Sequence, residues 1–226
     1  MPAFVCRGSG ITTVRHSVID LRTVSETQLA LWFSQMDAEK QGRVERLRRA
    51  EDRARSVCAD HLARLLLTQV SGGTSLRFDT GENGKPTVLN CPWQFNLSHS
   101  GYFAACAVSE APVGIDIEQL RPIRPALMRR VCTEQELRYV GEDSGRFLQL
   151  WTAKEAAFKQ ISDGTCAFIP SKLPVNGAGV SVYKIDSLVV SVATPNPIDL
   201  FFVHSDSNDN YLERSVSATK VDVFKH

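Results

Sequence analysis

The 226-residue sequence has almost no charge excess of either sign, no apolar run approaching the ~18 residues of a membrane span, and no CxxC cysteine pair. Each absence removes a class of protein. With 26 Lys and Arg against 25 Asp and Glu, the formal net charge is +1, which argues against a general nucleic-acid binder, since such domains carry a strong basic excess. Any anion site must then be a local patch. Met-Pro-Ala-Phe-Val-Cys-Arg-Gly at the start lacks the apolar stretch of a signal peptide, so the expectation is a cytoplasmic protein without a membrane association. The six cysteines, Cys6, Cys58, Cys91, Cys106, Cys132 and Cys166, are scattered, with no histidine nearby at a zinc-ligand spacing. They read as reduced core thiols. A Gly-x-Ser-x-Gly nucleophile elbow is also missing, and no internal repeat stands out.

What is present is an ordinary globular composition, 43% apolar and 23% charged, large enough for one big core or two small lobes. Two stretches carry the most information. In Val113-Gly-Ile-Asp-Ile-Glu118 apolar and polar residues alternate, the pattern of a strand. Side chains two apart on a strand share a face about 6.5 to 7 Å apart. Asp116 and Glu118 therefore stand side by side, close enough for both to reach one hard cation. Val113, Ile115 and Ile117 anchor the other face, and Gly114 leaves room for a ligand or another backbone. The second stretch, Phe147-Leu-Gln-Leu-Trp-Thr-Ala-Lys-Glu-Ala-Ala-Phe-Lys159, reads as a helix. Phe147, Leu150, Trp151, Phe158 and Ile161 form its apolar stripe, with Lys154 inside it and Glu155 and Lys159 an i,i+4 pair on its edge.

Around these the chain alternates strand and helix patterns. A strand is expected over Thr12 to Leu21, followed by a capping box at Ser25-Glu-Thr-Gln28 and a short helix. From Asp37 to about Val70 the pattern is helical but too long for one typical helix, so a break is expected near Gly42 or at Arg48 to Arg49. Leu47, Ala50, Ala54, Cys58, Leu62 and Leu65 mark its apolar seam. Its other face carries Lys40, Arg43, Arg46, Arg48, Arg49, Arg53, Arg55 and Arg64. Gly81 to Pro86 is a turn. Phe95-Asn-Leu-Ser-His-Ser-Gly101 leads into a strand over Tyr102 to Val108, which is expected to form a hairpin with the Val113 to Glu118 strand through Ser109-Glu-Ala-Pro112. Arg121-Pro-Ile-Arg-Pro125 is a proline-rigid loop, and Thr133-Glu-Gln-Glu136 a second capping box. Strands are expected at Cys166 to Ile169, Val180 to Ile185, Leu188 to Ala193 and Leu200 to Val203, with a polar tail over residues 205–226.

The combination of Gly-Ile-Asp-Ile-Glu with Trp-x-x-Lys-Glu-Ala-x-x-Lys resembles the signature of the 4′-phosphopantetheinyl transferase superfamily, in its larger, two-lobed bacterial type. The resemblance covers roughly residues 12 to 200. It implies an α+β fold of two similar lobes, a pseudodimer, each with a small antiparallel sheet packed on helices. The N-terminal lobe would span 1–108 and the C-terminal lobe 109–204. It also implies an enzyme, a monomer, that moves the phosphopantetheine arm of coenzyme A onto a serine of an apo acyl or peptidyl carrier protein and releases 3′,5′-ADP. The carrier could serve fatty-acid, polyketide or nonribosomal-peptide synthesis.

Residue by residue, the resemblance places Mg²⁺ at Asp116, Glu118 and Glu155. Lys159 and His99 would neutralise phosphate charge, and Glu155 would act as general base for the carrier serine or chiefly as a metal ligand. Lys40, Arg43, Arg55 and Ser56 would hold the 3′-phosphate of coenzyme A, where the family often has lysine at the place of Arg43 and threonine at that of Ser56. Lys85 and Pro86 of Gly-Lys-Pro would meet its nucleotide end, and Ser98 with His99 its phosphates. Arg121, Arg124, Arg129 and Arg130 would face an acidic carrier helix. The rival from another class is a non-catalytic coenzyme A or nucleotide-binding paralogue, against which the intact Asp116, Glu118, Glu155 and Lys159 set argues. A DNA-binding reading of the arginine run lacks an aromatic stacking surface or recognition helix.

Overall fold

The computed structural model describes residues 12–73, 75–81, 85–162, 179–205 and 211–215. The expected strand at Cys166 to Ile169, the thiols Cys6 and Cys166, and residues 216–226 lie outside the described residues. The elements are β1 (Thr12–Asp20), α1 (Glu26–Ser34), α2 (Ala38–Glu45), α3 (Ala50–Ser71), β2 (Phe78–Thr80), β3 (Pro86–Val88), β4 (Gln94–Ser100), β5 (Phe103–Ser109), β6 (Gly114–Gln119), α4 (Pro125–Val131), α5 (Glu134–Val140), α6 (Ser144–Ile161), β7 (Val180–Ile185), β8 (Leu188–Ala193), β9 (Ile198–Ser205) and β10 (Tyr211–Ser215).

They form a five-stranded sheet in the order β10-β9-β1-β5-β4, a three-stranded sheet β6-β8-β7, and the small β2-β3 hairpin. The expected α+β class is therefore met, with antiparallel ladders throughout except where β9 runs parallel to β1. That pairing places β9 and β10 beside the first strand of the chain, not beside β7 and β8. The tail expected from residue 205 thus contains an ordered strand.

Alternation explains how the layers stack. On β5 every residue is buried. Ala105 and Ala107 face Val113, Ile115, Ile117, Val190 and Val192 of the other sheet, while Cys106 and Val108 face Leu62, Leu66 and Leu67 of α3. The small residues of β5 let both neighbours approach closely. On the far side of the three-stranded sheet, Phe147, Leu150 and Ala153 of α6 pack on Val182 and Val189. The order of layers is helix, sheet, sheet, helix. A buried hydrogen bond between His16 of β1 and Tyr183 of β7 links the two sheets.

Local signals behave as their chemistry requires. Both capping boxes form, Ser25 with Gln28 and Thr133 with Glu136. The long charged helix breaks over residues 46–49, between α2 and α3, while Gly42 stays helical. Pro125 opens α4, a helix that the proline-rich reading of that loop did not anticipate, because proline's fixed φ suits the first helical position. Among the expected apolar stripe of α6, Ile161 is exposed at the last turn. Lys154 is wholly buried, and its charge is met by Glu136 of α5 at 2.7 Å. Cys58, Cys91, Cys106 and Cys132 are free thiols.

The expected hairpin between Tyr102–Val108 and the Gly114 strand does not form. β5 already has β1 on one edge and β4 on the other, so β6 takes β8 as its ladder partner. Ser98 and His99 accordingly lie inside β4, whose hairpin to β5 turns at Gly101 in the left-handed region at φ 56°.

Candidate active site

β6 is buried over its first four residues, so its polar face is shielded from bulk water at Gly114 and Asp116 and only partly at Glu118. It meets α6. A Cβ on Gly114 would stand 2.0 Å from the Ala156 carbonyl oxygen and 2.6 Å from the Gln160 nitrogen, so only glycine lets the helix backbone settle on the strand. The close neighbour left open by the sequence is thus α6 itself. This contact brings the two signature stretches together. A cavity of about 300 Å³ is lined by Leu97, Ser98, His99, Asp116, Ile117, Glu118, Trp151, Glu155 and Lys159.

Within it the charges are unevenly satisfied. Lys159 Nζ donates to Asp116 Oδ1 at 2.7 Å, to the Ile115 carbonyl at 3.2 Å and to Ser98 Oγ at 3.3 Å. Asp116 Oδ1 also accepts from Ser98 Oγ at 2.8 Å. Burial pushes the Asp116 carboxyl above its ordinary value, and the adjacent Lys159 ammonium opposes that only in part. Glu118 Oε2 accepts from Ser100 Oγ at 2.7 Å and from Arg121 at 2.6 Å. Glu155 is raised to about 7, first by burial, then by the negative charges of Asp116 and Glu118, against the pull of Lys159.

His99 stands at the cavity rim. Although much of its surface meets solvent, the seated part of the ring is desolvated, and with the nearby cations Arg55 and Lys159 this lowers its pKa. In the ligand-free protein this favours the neutral ring.

The expected cation ligands Asp116, Glu118 and Glu155 share this cavity, but they do not form a closed cage. Among the described residues no group of three or more His, Cys, Asp or Glu side chains is gathered tightly enough to hold a metal by itself. Such a set of oxygen donors suits a hard cation that binds through one or two carboxylates and completes its shell with water and phosphate oxygens.

The expected phosphate cations are placed differently. Lys40 Nζ pairs with the buried Asp60 at 2.6 Å and lies 4.2 Å from the centre of the Phe78 ring. Arg64 binds the same Asp60 at 2.6 Å and Asp37 at 2.9 Å. Arg43 is 3.8 Å from Glu39 and half exposed. Arg55 pairs with Asp52 and donates to the Gly101 carbonyl at 2.7 Å, at the turn beside His99. Ser56 is half-buried on α3. Lys85, just before Pro86 at the start of β3, donates to the carbonyls of Lys159 at 3.2 Å and Ser162 at 3.1 Å. It thereby caps the C-terminal end of α6, where the helix dipole favours a cation.

The sequence reading passed over Ser100 and gave Arg121 to docking, yet both hold Glu118. It also missed Asn96, whose Oδ1 accepts from the Ile115 N–H at 3.0 Å. The signal was the period-two spacing of Asn96, Ser98 and Ser100, which puts all three on one face of β4.

Comparison with known proteins adds independent findings. The family model described as the 4′-phosphopantetheinyl transferase superfamily matches residues 112–211, and that described as 4′-phosphopantetheinyl transferase, N-terminal, matches residues 23–111. The chain is 27% identical over 209 residues to 4′-phosphopantetheinyl transferase Sfp of Bacillus subtilis (strain 168), covering 89% of this chain and 90% of that protein. It is 36% identical over 134 residues to 4′-phosphopantetheinyl transferase psf-1 of Bacillus pumilus, covering 56% and 58%. To 4′-phosphopantetheinyl transferase gsp of Aneurinibacillus migulanus it is 29% identical over 175 residues, covering 74% and 71%.

Proposed function

The chain belongs to the 4′-phosphopantetheinyl transferase superfamily, and on that premise we propose that it moves the 4′-phosphopantetheine group of coenzyme A onto a serine of an apo acyl or peptidyl carrier protein, at the carboxylate cavity between β4, β6 and α6. The observation that carries this reading is the convergence of Asp116, Glu118, Glu155, Lys159 and His99 on one cavity.

In the transfer, the carrier serine oxygen bonds to the β-phosphorus of coenzyme A, the bond to the nucleotide oxygen breaks, and 3′,5′-ADP leaves. Asp116, Glu118 and Glu155 would hold Mg²⁺, which supplies charge neutralisation for the diphosphate and its leaving group. Glu155, with a pKa of about 7 in the ligand-free protein, is suited to take the serine proton near neutral pH. Lys159, on leaving its Asp116 contact, and His99 would neutralise the phosphate charge. Lys40, Arg43, Arg55 and Ser56 would receive the 3′-phosphate, and Lys85 with Pro86 the nucleotide end.

The same reading extends to architecture and partner. We assign two lobes, 1–108 and 109–204. In support, one long helix, α3 or α6, covers each sheet, and the two family models meet at residues 111 and 112. β9 crosses that division to pair with β1. For the carrier, α4 exposes Leu127 between Arg124, Arg129 and Arg130, an apolar contact ringed by positive charge that fits an acidic helix.

The test is direct. The protein is incubated with coenzyme A, Mg²⁺ and an apo carrier domain, and the carrier's intact mass is followed. A gain of one phosphopantetheine unit, abolished by EDTA, is expected. Coenzyme A binding with no modification of any carrier in a panel of fatty-acid, polyketide and peptide types would instead mark the non-catalytic paralogue.

A further inference from the structure

β4 and β6 lie side by side and run the same way, but no backbone ladder joins them. Side chains make the junction. The Ile115 N–H donates to Asn96 Oδ1 at 3.0 Å, the Ile117 N–H to Ser98 Oγ at 3.3 Å and the Gln119 N–H to Ser100 Oγ at 3.2 Å. Because Asn96, Ser98 and Ser100 are two apart on β4, each meets every second residue of β6 in register.

A serine hydroxyl has one proton and two lone pairs. Here a β6 N–H occupies a lone pair, which leaves the proton to be given elsewhere. Ser98 gives it to Asp116 Oδ1 and Ser100 to Glu118 Oε2. The cation next to each carboxylate falls on the same oxygen, Lys159 on Oδ1 and Arg121 on Oε2. The second oxygen of each, Asp116 Oδ2 and Glu118 Oε1, accepts no hydrogen bond among the described residues.

We propose that Ser100, acting in parallel with Ser98, is a positioning residue of the cation site: it is locked by the Gln119 N–H so that its proton grips one oxygen of Glu118 and leaves the other for a divalent ion. This deepens the assignment of Asp116 and Glu118 as cation ligands and rests on it. A purely structural seam would need only the acceptor role toward the strand N–H, and the donor role toward the carboxylate would then be idle.

Mn²⁺ serves as the probe, titrated into the full-length protein with saturating coenzyme A and followed by the electron paramagnetic resonance signal of the free ion. Melting temperatures are taken alongside. Ser100→Ala is expected to weaken Mn²⁺ binding by about tenfold to a hundredfold, the usual effect of losing a partner that orients a ligand. Ser100→Thr keeps the hydroxyl and retains parental affinity. Ser100→Cys, close in shape but a weak donor, follows Ala and keeps the test open should the alanine variant fail to fold. Parental Mn²⁺ affinity in the Ala or Cys variant overturns the proposal, whatever happens to the melting temperature. Asp116→Asn separates the two levels. If it abolishes Mn²⁺ binding while the Ser100 variants bind normally, positioning alone fails. If it leaves binding untouched, or the parent binds no Mn²⁺, the cation site fails and the proposal with it.

Discussion

The two charged regions of this protein, the basic helices α2 and α3 and the cavity on β6 and α6, solve the burial of charge in opposite ways. In the first, opposite charges meet in a closed lattice: Asp60 is shared by Lys40 and Arg64, Arg64 reaches on to Asp37, and Arg55 is held by Asp52. In the second, Asp116, Glu118 and Glu155 share a cavity with one ammonium, Lys159, and Arg121 outside it. A lattice with partners is stable as it stands. Three carboxylates in one cavity carry negative charge that Lys159 and Arg121 meet only in part, and the raised pKa of Glu155 reflects burial first and the neighbouring Asp116 and Glu118 charges second.

The largest effect is expected where the deficit is greatest. Glu155→Gln removes the proton acceptor while keeping the side chain's size, and a base role lowers kcat by about 10² to 10⁴. If Glu155 is instead chiefly a metal ligand, raising Mg²⁺ restores much of the rate. Titrating Mg²⁺ against turnover decides between the two, and a parental rate at every Mg²⁺ concentration removes Glu155 from the mechanism.

Asp116→Asn should lower turnover by at least about 10²-fold, more than loss of an orienting partner would. Its melting temperature should change little, because relief of a buried charge offsets the lost Lys159 pair. Equal losses of stability and activity would make Asp116 structural and erase the contrast with Asp60.

The pH response sharpens the same comparison. Glu155 binds its proton more tightly folded than unfolded, because its carboxyl moves from the ordinary value of 4.5 to about 7. Between those values the native state holds the extra proton, so this group's contribution to stability is present in mildly acid solution and is lost as pH rises through about 7. The ligand-free parent should therefore lose melting temperature between pH 5 and pH 8 relative to Glu155→Gln. A divalent ion must displace the same proton, so its affinity should rise across that range. Parallel melting curves for parent and variant would refute the shift.

The smallest effects separate Lys40 from Arg43. Lys40→Ala breaks into the lattice and leaves Asp60 with Arg64 alone, which should cost about 1 to 3 kcal/mol of stability, seen by denaturant unfolding. Arg43→Ala removes a half-exposed contact with Glu39 and should change stability less than Lys40→Ala. Loss of a phosphate contact from either residue would raise KM for coenzyme A about tenfold to a hundredfold and blunt discrimination against its 3′-dephospho form. A Lys40→Ala variant with lowered stability and parental KM would assign that lysine wholly to the lattice.

Short-range chemistry was readable before any coordinates. Ser25 with Gln28 and Thr133 with Glu136 announced helix starts, because a capping box is closed within four residues. Val180–Ile185 and Leu188–Ala193 were legible as strands from their apolar patterns. Alternation along Gly114–Gln119 put Asp116 and Glu118 on one face, and helical spacing put Glu155 four residues from Lys159. What the sequence could not determine was which faces meet. The hairpin expected between β5 and β6 failed because both edges of β5 were already taken by β1 and β4, a competition among strands distant in the chain. The pairing of Lys40 with Asp60, twenty positions on, exists only once the fold brings α2 against α3. Lys85, on a short hairpin, turned out to cap a helix 74 residues later. Residue type and period are local properties and survive in the sequence. The choice of partner is decided by whichever pairing leaves the fewest buried charges and backbone groups unmet, and that is settled only when the whole chain has packed.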